Sequence, residues 1–259
     1  MAEHVLFTNQ VIENKMTDLV NTNLDVNALF TVDNSLTTEA GLKKVINKYT
    51  YSGTVEKLAK GAKNTAKGAV TFVPSEYVIE RYQQTFEYND MDVMQDPQIL
   101  DVATTGAATV MANDIKAQYF AELAKISKNH EAAGFTYDEF VDALAEIGRE
   151  VESDMFIVMG IDGRAAVRKD ADYKASRQGE ILYTGQFGTI SGVPCLFSKL
   201  VPAKTAYITA KDQVKFFVKN EGTVEQDRDI ETKDNTVVYD RHGVMALVDE
   251  TKSIKVTVA

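Results

Sequence analysis

The chain has 259 residues, 44% of them hydrophobic, which is enough for one large domain or two small ones with a real core. Its 28 Lys and Arg residues against 38 Asp and Glu give a net charge of −10. This charge argues against tight binding to a nucleic-acid backbone. It is compatible with a container that encloses nucleic acid without adhering to it. The single cysteine, Cys195, excludes an internal disulfide and a cysteine-rich metal cluster.

No apolar run approaches the length that crosses a membrane, and the N-terminal MAEHVLFTNQ lacks the basic and apolar segments of a signal peptide. The chain also contains no internal repeat and no low-complexity tract. These observations predict a soluble protein that is made in the cytoplasm.

The first 48 residues are mixed in character. Gln10–Leu19 is predicted to form a short helix with Val11, Ile12 and Met16 facing inward. Residues 21–34 are rich in Asn, Asp and Thr, a composition that favours an extended arm whose apolar residues dock on another surface. Those apolar residues are Leu24, Val26, Leu29, Phe30 and Val32.

Residues 52–68 contain almost nothing from which a core could be built. Three glycines, several alanines and four lysines favour a flexible basic segment with a loop tip near residues 61–64. An ordinary solvated loop also explains this composition, and a nucleic-acid site is disfavoured because no aromatic residues accompany the lysines. The four lysines are Lys57, Lys60, Lys63 and Lys67.

Residues 69–88 predict an extended strand, which alternates regularly toward its end with Tyr82, Phe86 and Tyr88 on one face. Pro74 cannot donate a ladder hydrogen bond, so that part of the strand is expected at an edge or a bulge. A basic loop between two extended arms is a long hairpin with little core of its own. It is therefore expected to lie on another surface.

Residues 96–127 predict the long helix around which the chain is organised. Asp96 is suited to cap the first turn, and Pro97 is suited to the first helical position. The helix would be roughly 45 Å long, with Gly106 as its weak point. Its predicted apolar face is formed by Leu100, Ala103, Ala107, Val110, Met111, Ile115, Tyr119, Leu123 and Ile126.

Three shorter elements follow the long helix. Thr136 and Glu139 form a capping box that predicts a second helix to about residue 153. The apolar run 155–159 predicts a buried strand, and residues 162–169 predict a short helix. The polar, glycine-containing residues 170–186 are the best candidate for a long functional loop.

The remainder of the chain predicts a series of short strands punctuated by glycine and proline. The order of an arm, a hairpin, two helices and then strands indicates an α+β fold rather than the regular alternation of a dinucleotide-binding protein. The predicted strands are 187–190, 193–197, 205–209, 213–218, 223–229, 236–240, 244–248 and 254–258.

Enzyme chemistry finds little support in the sequence. No Gly-rich phosphate loop ending in Lys-Ser or Lys-Thr occurs, and His4, His130 and His242 have no second histidine or cysteine at metal-ligand spacing. Cys195 follows a proline in an apolar run, which favours a buried, inert thiol. No catalytic residue, metal site or cofactor is therefore predicted, and a monomeric α+β hydrolase is kept only as an alternative.

The order of these segments resembles the major capsid proteins of tailed bacteriophages with the Hong Kong 97 fold. Residues 52–88 resemble the extended hairpin of that family, the E-loop, and residues 96–127 resemble its spine helix. Residues 154–169 resemble the entry to its axial (A) domain, and residues 236–258 resemble the closing strands of its peripheral (P) domain. The most specific match is 188–229, where a Gly-x-x-x-Gly-x-Pro turn, a strand, a Val-Pro-Ala turn and another strand follow in order.

The resemblance implies a division into five segments. These are an N-terminal arm at 1–48, the E-loop hairpin at 49–88, a P domain at 89–154 that contains the spine helix, an A domain at 155–235, and closing strands at 236–259. It also implies contacts between subunits and no catalytic role. The implied contact residues are Lys57, Lys60, Lys63, Lys67 and Phe72 on the hairpin, Leu24, Leu29 and Phe30 on the arm, and Tyr173, Arg177 and Tyr183 on an A-domain loop near the capsomer axis.

The implied function is self-assembly into hexamers and pentamers of an icosahedral head that encloses DNA without sequence-specific binding and without a membrane. Because the chain begins almost directly with the arm, a separate scaffolding protein is expected. The resemblance also implies a portal as a partner and leaves open whether a decoration protein binds. The alternative with the same fold is an encapsulin-type shell around a cargo enzyme. Genomic neighbours, portal and terminase or cargo enzyme, would separate the two.

Overall fold

The computed structural model describes residues 9–25, 29–149, 154–170 and 188–258. Helices and strands are mixed without regular alternation, which confirms the predicted α+β class. The elements in these ranges are α1 (Asn9–Asp25), β1 (Thr31–Asp33), a 3₁₀ turn (Ser35–Thr37), β2 (Lys43–Ser52), β3 (Ala69–Val78), β4 (Glu80–Asn89), α2 (Asp90–Gln95), α3 (Ile99–Leu123), β5 (Asn129–Ala132), α4 (Tyr137–Ile147), β6 (Met155–Met159), α5 (Ile161–Lys169), β7 (Thr189–Ile190), β8 (Val193–Phe197), β9 (Thr205–Ala210), β10 (Val214–Arg228), β11 (Asp234–Leu247) and β12 (Ile254–Val258).

A four-stranded sheet runs in the order β1-β10-β11-β4. Its two long strands, β10 and β11, each replace a pair of predicted short strands. The apolar alternation lapses near residues 219–222, and the register between β10 and β11 shifts there between Val218 and Thr223. A β-bulge absorbs such an irregularity while the backbone stays extended, so a break in the pattern did not mean a break in the strand.

A six-stranded sheet runs in the order β5-β12-β9-β6-β8-β7. Its central strand β6 is buried along its whole length, as the apolar run predicted. Met155, Ile157 and Met159 pack toward α4 and α5, whereas Phe156 and Val158 pack toward α1 and α3. Because both faces of the sheet are covered, the strand is apolar at every position instead of at every second one.

The long helix α3 is shorter than the predicted 96–127: the chain is extended at Asp96, so the helix begins at Ile99, and it ends at Leu123. Its 25 residues correspond to roughly 37 Å. The Asp96 carboxylate accepts a hydrogen bond of 3.0 Å from the backbone N–H of Gln98, which closes a turn before the helix. The N-cap itself is Gln98, whose side chain makes no capping hydrogen bond, so the predicted cap at Asp96 is wrong. The apolar pattern located α3 well, and the local turn decided its first residue.

The buried face of α3 differs from the predicted one. Val110 was expected inside and is 55% exposed, whereas Thr104, Ala108, Ala112 and Phe120 are buried. The helix packs against α1 as well as against strands of the four-stranded sheet, so its buried band is broader than a single stripe and is rotated away from Val110.

The N-terminal prediction needs a larger correction. The first helix continues to Asp25, and its buried residues Ile12, Met16, Val20 and Leu24 recur at four-residue steps, whereas Val11 is 52% exposed. Polar groups that were expected in an extended arm instead accept hydrogen bonds from buried cationic side chains. Asn21 Oδ1 accepts a hydrogen bond of 2.9 Å from Arg241, and the backbone carbonyl of Asn23 accepts one from Lys116.

The predicted segment boundaries also change. The hairpin spans residues 43–78 rather than 49–88, because β4 leaves it and pairs with β11. Strand β10, expected in the A domain, belongs to the same sheet as β4. Conversely, β12 pairs with β9 and β5 in the six-stranded sheet and not with the closing strand β11.

The capping box predicted the start of α4 correctly. Thr136 Oγ1 accepts a hydrogen bond of 3.4 Å from the backbone N–H of Glu139. The helix ends at Ile147 instead of near residue 153, because Gly148 adopts a left-handed conformation with φ of 71° and ends the helix.

Candidate functional site

The candidate site is the hairpin, which we define as Lys43–Val78. Strands β2 and β3 form a two-stranded antiparallel ribbon whose register runs from Lys43 opposite Val78 to Ser52 opposite Ala69. Pro74 lies opposite Asn47 in this ribbon, where every strand is an edge strand. The edge position predicted for Pro74 is therefore confirmed.

One face of the ribbon is attached to the body at its base. Ile46 and Tyr77 pack against a small apolar cluster formed by Leu36, Phe217, Val244 and Ala246. The Tyr77 hydroxyl donates a hydrogen bond of 3.2 Å to the carbonyl of Leu247, and Lys48 Nζ lies 3.4 Å from a carboxylate oxygen of Glu250. These contacts hold the base of the hairpin against β10, β11 and the turn that follows β11.

The opposite face of the ribbon is apolar and uncovered. Side chains alternate along a strand, and residues opposite one another share a face, so the odd-numbered residues of β2 line up with the even-numbered residues of β3. The rings of Tyr49 and Phe72 lie 6.2 Å apart, and these side chains are 68% and 60% exposed. Seven of the ten residues on this face are exposed and apolar, and the other three are Lys43, Asn47 and Glu76. The seven are Val45, Tyr49, Tyr51, Val70, Phe72, Pro74 and Val78.

The distal end of the hairpin has a defined shape although it is exposed. The Glu56 carboxylate accepts hydrogen bonds from the backbone N–H groups of Thr65 at 2.9 Å and Ala66 at 3.3 Å, and from the Thr65 hydroxyl at 3.1 Å. The backbone hydrogen bond from Thr65 is the main reason why the pKa of Glu56 lies below its usual value. A Cβ at Gly53 or Gly68 would overlap the ring of Tyr51, so glycine at these positions permits that ring to lie across the end of the ribbon.

The hairpin differs in charge from the rest of the chain. It contains seven lysines against two glutamates and no other charged residue, a net charge of +5, so the remaining residues carry −15 of the total of −10. Within the parts of the chain that the structure describes, the lysines at its distal end are exposed and none has an ion-pair partner. These are Lys57, Lys60, Lys63 and Lys67.

A second exposed apolar surface lies at the far end of the four-stranded sheet, and we call residues 87–96 and 225–234 the acidic corner. The backbone N–H of Asp90 donates to the carbonyl of Lys233 at 3.2 Å, which holds α2 against the β10–β11 turn. Met91, Met94 and Ile230 are 75%, 70% and 77% exposed. The two segments together contain nine carboxylates against two basic residues, a net charge of −7.

Asp90 and Asp92 lie in the first turn of α2, where a carboxylate is favourable at the N-terminal end of a helix. The sequence analysis did not identify the corner as a surface. The two exposed methionines at a three-residue spacing were the available signal, but only the pairing of β11 with β4 brings the turn that carries Ile230 to the start of α2.

The predicted contact residues fall into three groups according to where they lie in the structure. The four hairpin lysines and Phe72 lie exposed on the hairpin. Leu24, Leu29 and Phe30 lie in the core of their own subunit, at 4%, 2% and 6% exposure, so in this conformation they are not available to a neighbour. Tyr173, Arg177 and Tyr183 lie outside the described residues.

The reason for the burial of the arm residues is a packing partner that sequence reasoning did not foresee. The ring of Phe30 lies 5.4 Å from that of Tyr119 on α3 and 6.4 Å from that of Phe216 on β10. Leu24 is carried into the same cluster by the extra turns of α1.

Among the described residues, no group of three or more His, Cys, Asp or Glu side chains is arranged to hold a metal ion. None of the helices described has the length and apolar character needed to cross a membrane.

Comparisons with known proteins agree with the resemblance noted from the sequence. Residues 72–256 match the model of a family described as phage capsid protein. The major capsid protein of Staphylococcus phage phiMR11 is 25% identical over 270 residues, which cover 96% of this chain and 94% of that protein.

Two solved structures show a similar fold at low sequence identity. The capsid structure of the cyanophage P-SCSP1u has a TM-score of 0.72 at 11% identity, covering 89% of this chain and 86% of that one. A virus-like particle from Pyrococcus furiosus has a TM-score of 0.67 at 12% identity, covering 97% and 100%. At such identities the likeness establishes the fold alone.

Proposed function

This chain belongs to the phage capsid protein family and has the Hong Kong 97 fold, and from that premise we propose that its subunits assemble into the hexamers and pentamers of an icosahedral head around double-stranded DNA. One observation carries the step from family to mechanism, namely the uncovered apolar face of the hairpin. A soluble monomer gains nothing from seven exposed apolar residues on one face of a two-stranded ribbon, whereas a subunit whose ribbon lies on a neighbour buries them.

The proposed assembly contact is the hairpin of one subunit on the body of the next. The ribbon supplies apolar area, and the basic distal end supplies charge complementarity to a body that carries −15. Many such contacts, each weak, together give a stable shell because the subunits are held at high local concentration.

The proposed receiving surface for the distal end is the acidic corner of a neighbour. Val55 and Leu58 are 96% and 44% exposed beside the hairpin lysines, just as Met91, Met94 and Ile230 are exposed among the carboxylates of the corner. Apolar centres with opposite charge at the rim are the arrangement expected of two surfaces that fit each other.

The enclosed DNA would not adhere to the inner wall of the shell. Outside the hairpin the chain is strongly acidic, which keeps a polyanion from sticking to the wall of the shell. We further propose that assembly takes place in the cytoplasm of a bacterial host together with a scaffolding protein and a portal.

The test of this function is the assembly state of the purified protein. Negative-stain electron microscopy and size-exclusion chromatography of the expressed chain are expected to show capsomers or closed shells. A monodisperse monomer at high concentration, both alone and with the scaffolding protein of the same phage, would contradict the proposal.

Reversing two charges at the end of the hairpin is expected to impair assembly and not folding. Lys60→Glu with Lys63→Glu lowers the charge of the hairpin from +5 to +1. Because rim charges act mainly on association, we expect assembly to slow about tenfold or more in light scattering at 0.15 M salt, with an unchanged melting temperature. The matched control is Lys128→Glu with Lys211→Glu, which changes the net charge equally at exposed positions outside the hairpin.

Normal assembly of the hairpin variant, or equal slowing in the control, would reject charge complementarity at the hairpin. The acidic corner is tested separately by adding Asp92→Lys and Glu231→Lys to the hairpin variant. Restored assembly in that quadruple variant is expected if the two surfaces meet, and no recovery would place the hairpin on another part of its neighbour.

A further inference from the structure

His130 joins two ends of a helix to the edge of the six-stranded sheet. It lies on β5, the edge strand, and its side chain is only 11% exposed. Its ring Nδ1 lies 2.7 Å from Oε1 of Glu146, and its Nε2 lies 3.0 Å from Oε2 of Glu139. Both glutamates belong to α4, one in its first turn and the other in its last.

While both carboxylates are ionised, this geometry fits only the protonated imidazole. A neutral ring carries one N–H, so the other nitrogen would direct a lone pair at a carboxylate oxygen at hydrogen-bond distance. An imidazolium donates at both nitrogens and satisfies both carboxylates.

The surroundings of the ring agree with that assignment. Burial by itself lowers the pKa of His130, but hydrogen bonds to Glu146 and Glu139 outweigh burial and raise the pKa above its ordinary value. The paired strand β12 places Val256 opposite His130, so the neighbouring Lys255 and Thr257 point to the other face of the sheet, as does Glu131 on β5 itself. Among the described residues, the charged groups that face the ring are thus the two glutamates of α4.

The two ends of α4 are not attached equally well to their surroundings. The Glu139 carboxylate also accepts a hydrogen bond of 3.1 Å from the backbone N–H of Ala133, and the first turn of α4 is capped by Thr136. The Glu146 side chain is 51% exposed, compared with 25% for Glu139, and the helix ends one residue later. Loss of the proton would therefore free the Glu146 end first.

We propose that His130 is a proton-operated clamp that holds both ends of α4 to β5 when charged and releases the last turn of α4 when neutral. For a histidine whose pKa is higher in the folded than in the unfolded state, the stabilisation is complete below the unfolded value of about 6.5 and is lost as the pH rises through the folded value. The last turn of α4 is accordingly tight in mildly acidic solution and loose in alkaline solution. The clamp lies within one subunit and does not depend on shell formation.

The test measures two quantities on the full chain by mass spectrometry. Deuterium exchange at the imidazole carbon reports the pKa of each histidine, and amide exchange, corrected for its intrinsic pH dependence, reports protection of residues 144–147. We expect a His130 pKa above 6.5 and about fivefold lower protection of the last turn once the pH has passed that pKa, as for one ordinary hydrogen bond, because the Glu146 side chain is half-exposed and solvent screens its pairing with the imidazolium. Protection of the first turn, at residues 137–140, is expected to change less.

Three variants separate the clamp from simple loss of structure. Glu146→Gln, which is nearly isosteric, should lower the His130 pKa and remove the pH dependence of the last turn. His130→Gln should leave that turn loosely held at every pH, and His242→Gln should behave like the wild type. A His130 pKa at or below 6.5, or equal protection of residues 144–147 on both sides of the transition, would overturn the proposal.

Discussion

Replacing residues 55–67 by a short Gly-Ser turn is expected to leave a folded subunit that forms no shells. The removed residues contribute nothing to the three apolar clusters of the subunit, and Val55 is 96% exposed. Changes at such exposed positions usually alter stability by no more than about 0.5 kcal/mol, so the melting temperature should move by about 2 °C or less. Shell formation should disappear because the replacement removes all four distal lysines and the exposed apolar residues beside them.

The measurements are electron microscopy for shells and calorimetry for folding. Ala62→Ser, a small change at the exposed tip, serves as the matched control and should assemble normally. Gly53 and Gly68 are kept in the shortened variant, so that Tyr51 retains its place at the end of the ribbon. Shells of normal yield from the shortened variant would show that the hairpin end is not an assembly contact.

Gly106→Pro is expected to abolish folding of the subunit, in contrast to the hairpin changes. Residue 106 lies in the first third of α3, and proline there removes the hydrogen bond to the carbonyl of Val102 and clashes with the preceding turn, at a cost of about 3 kcal/mol or more. The kink would also separate Ala107, Ala108 and Met111 from the main core, where all three are buried. A domain that is stable by only about 5–15 kcal/mol is not expected to tolerate both losses.

Gly106→Ala provides a control at the same position that is expected to change the free energy of unfolding in the opposite direction. A Cβ at Gly106 would meet no atom within 4 Å, and the site is exposed on the helix surface. Alanine should therefore raise the free energy of unfolding by up to about 1 kcal/mol through helix propensity alone.

Denaturant unfolding followed by circular dichroism distinguishes these outcomes. The proline variant should lack a cooperative transition or be insoluble, and the alanine variant should unfold at higher denaturant than the wild type. A proline variant with a wild-type transition would mean that α3 tolerates a break at its exposed glycine, and that it is not the element on which the core depends.

Much of the secondary structure was readable because it depends on neighbouring residues. The Thr136–Glu139 capping pair predicted the first turn of α4, and the apolar run at 155–159 predicted β6. The long apolar periodicity predicted α3, although a local turn at Asp96 shortened it. Bulges, by contrast, interrupt the pattern without ending the strand, so β10 and β11 were each predicted as two strands.

The features of the candidate site likewise fall into two groups, those that the local sequence showed and those that only the tertiary structure showed. The lysines of the hairpin and its lack of a core were visible as composition, whereas its apolar face required the register of β2 with β3. The acidic corner and the contacts of His130 with Glu139 and Glu146 join residues from separate elements. Nothing in the local pattern around His130 marked it as different from a solitary histidine.

By itself, the sequence determined the order and type of most elements, the absence of disulfides and the position of a basic segment without a core, because each depends on residues close together in the chain. The tertiary structure alone decided which face of α3 is buried, that Leu24, Leu29 and Phe30 belong to their own subunit, and that β4 leaves the hairpin for the sheet of β11. These outcomes depend on which distant surfaces bury the most apolar area together, and that competition between partners leaves no trace in a local pattern.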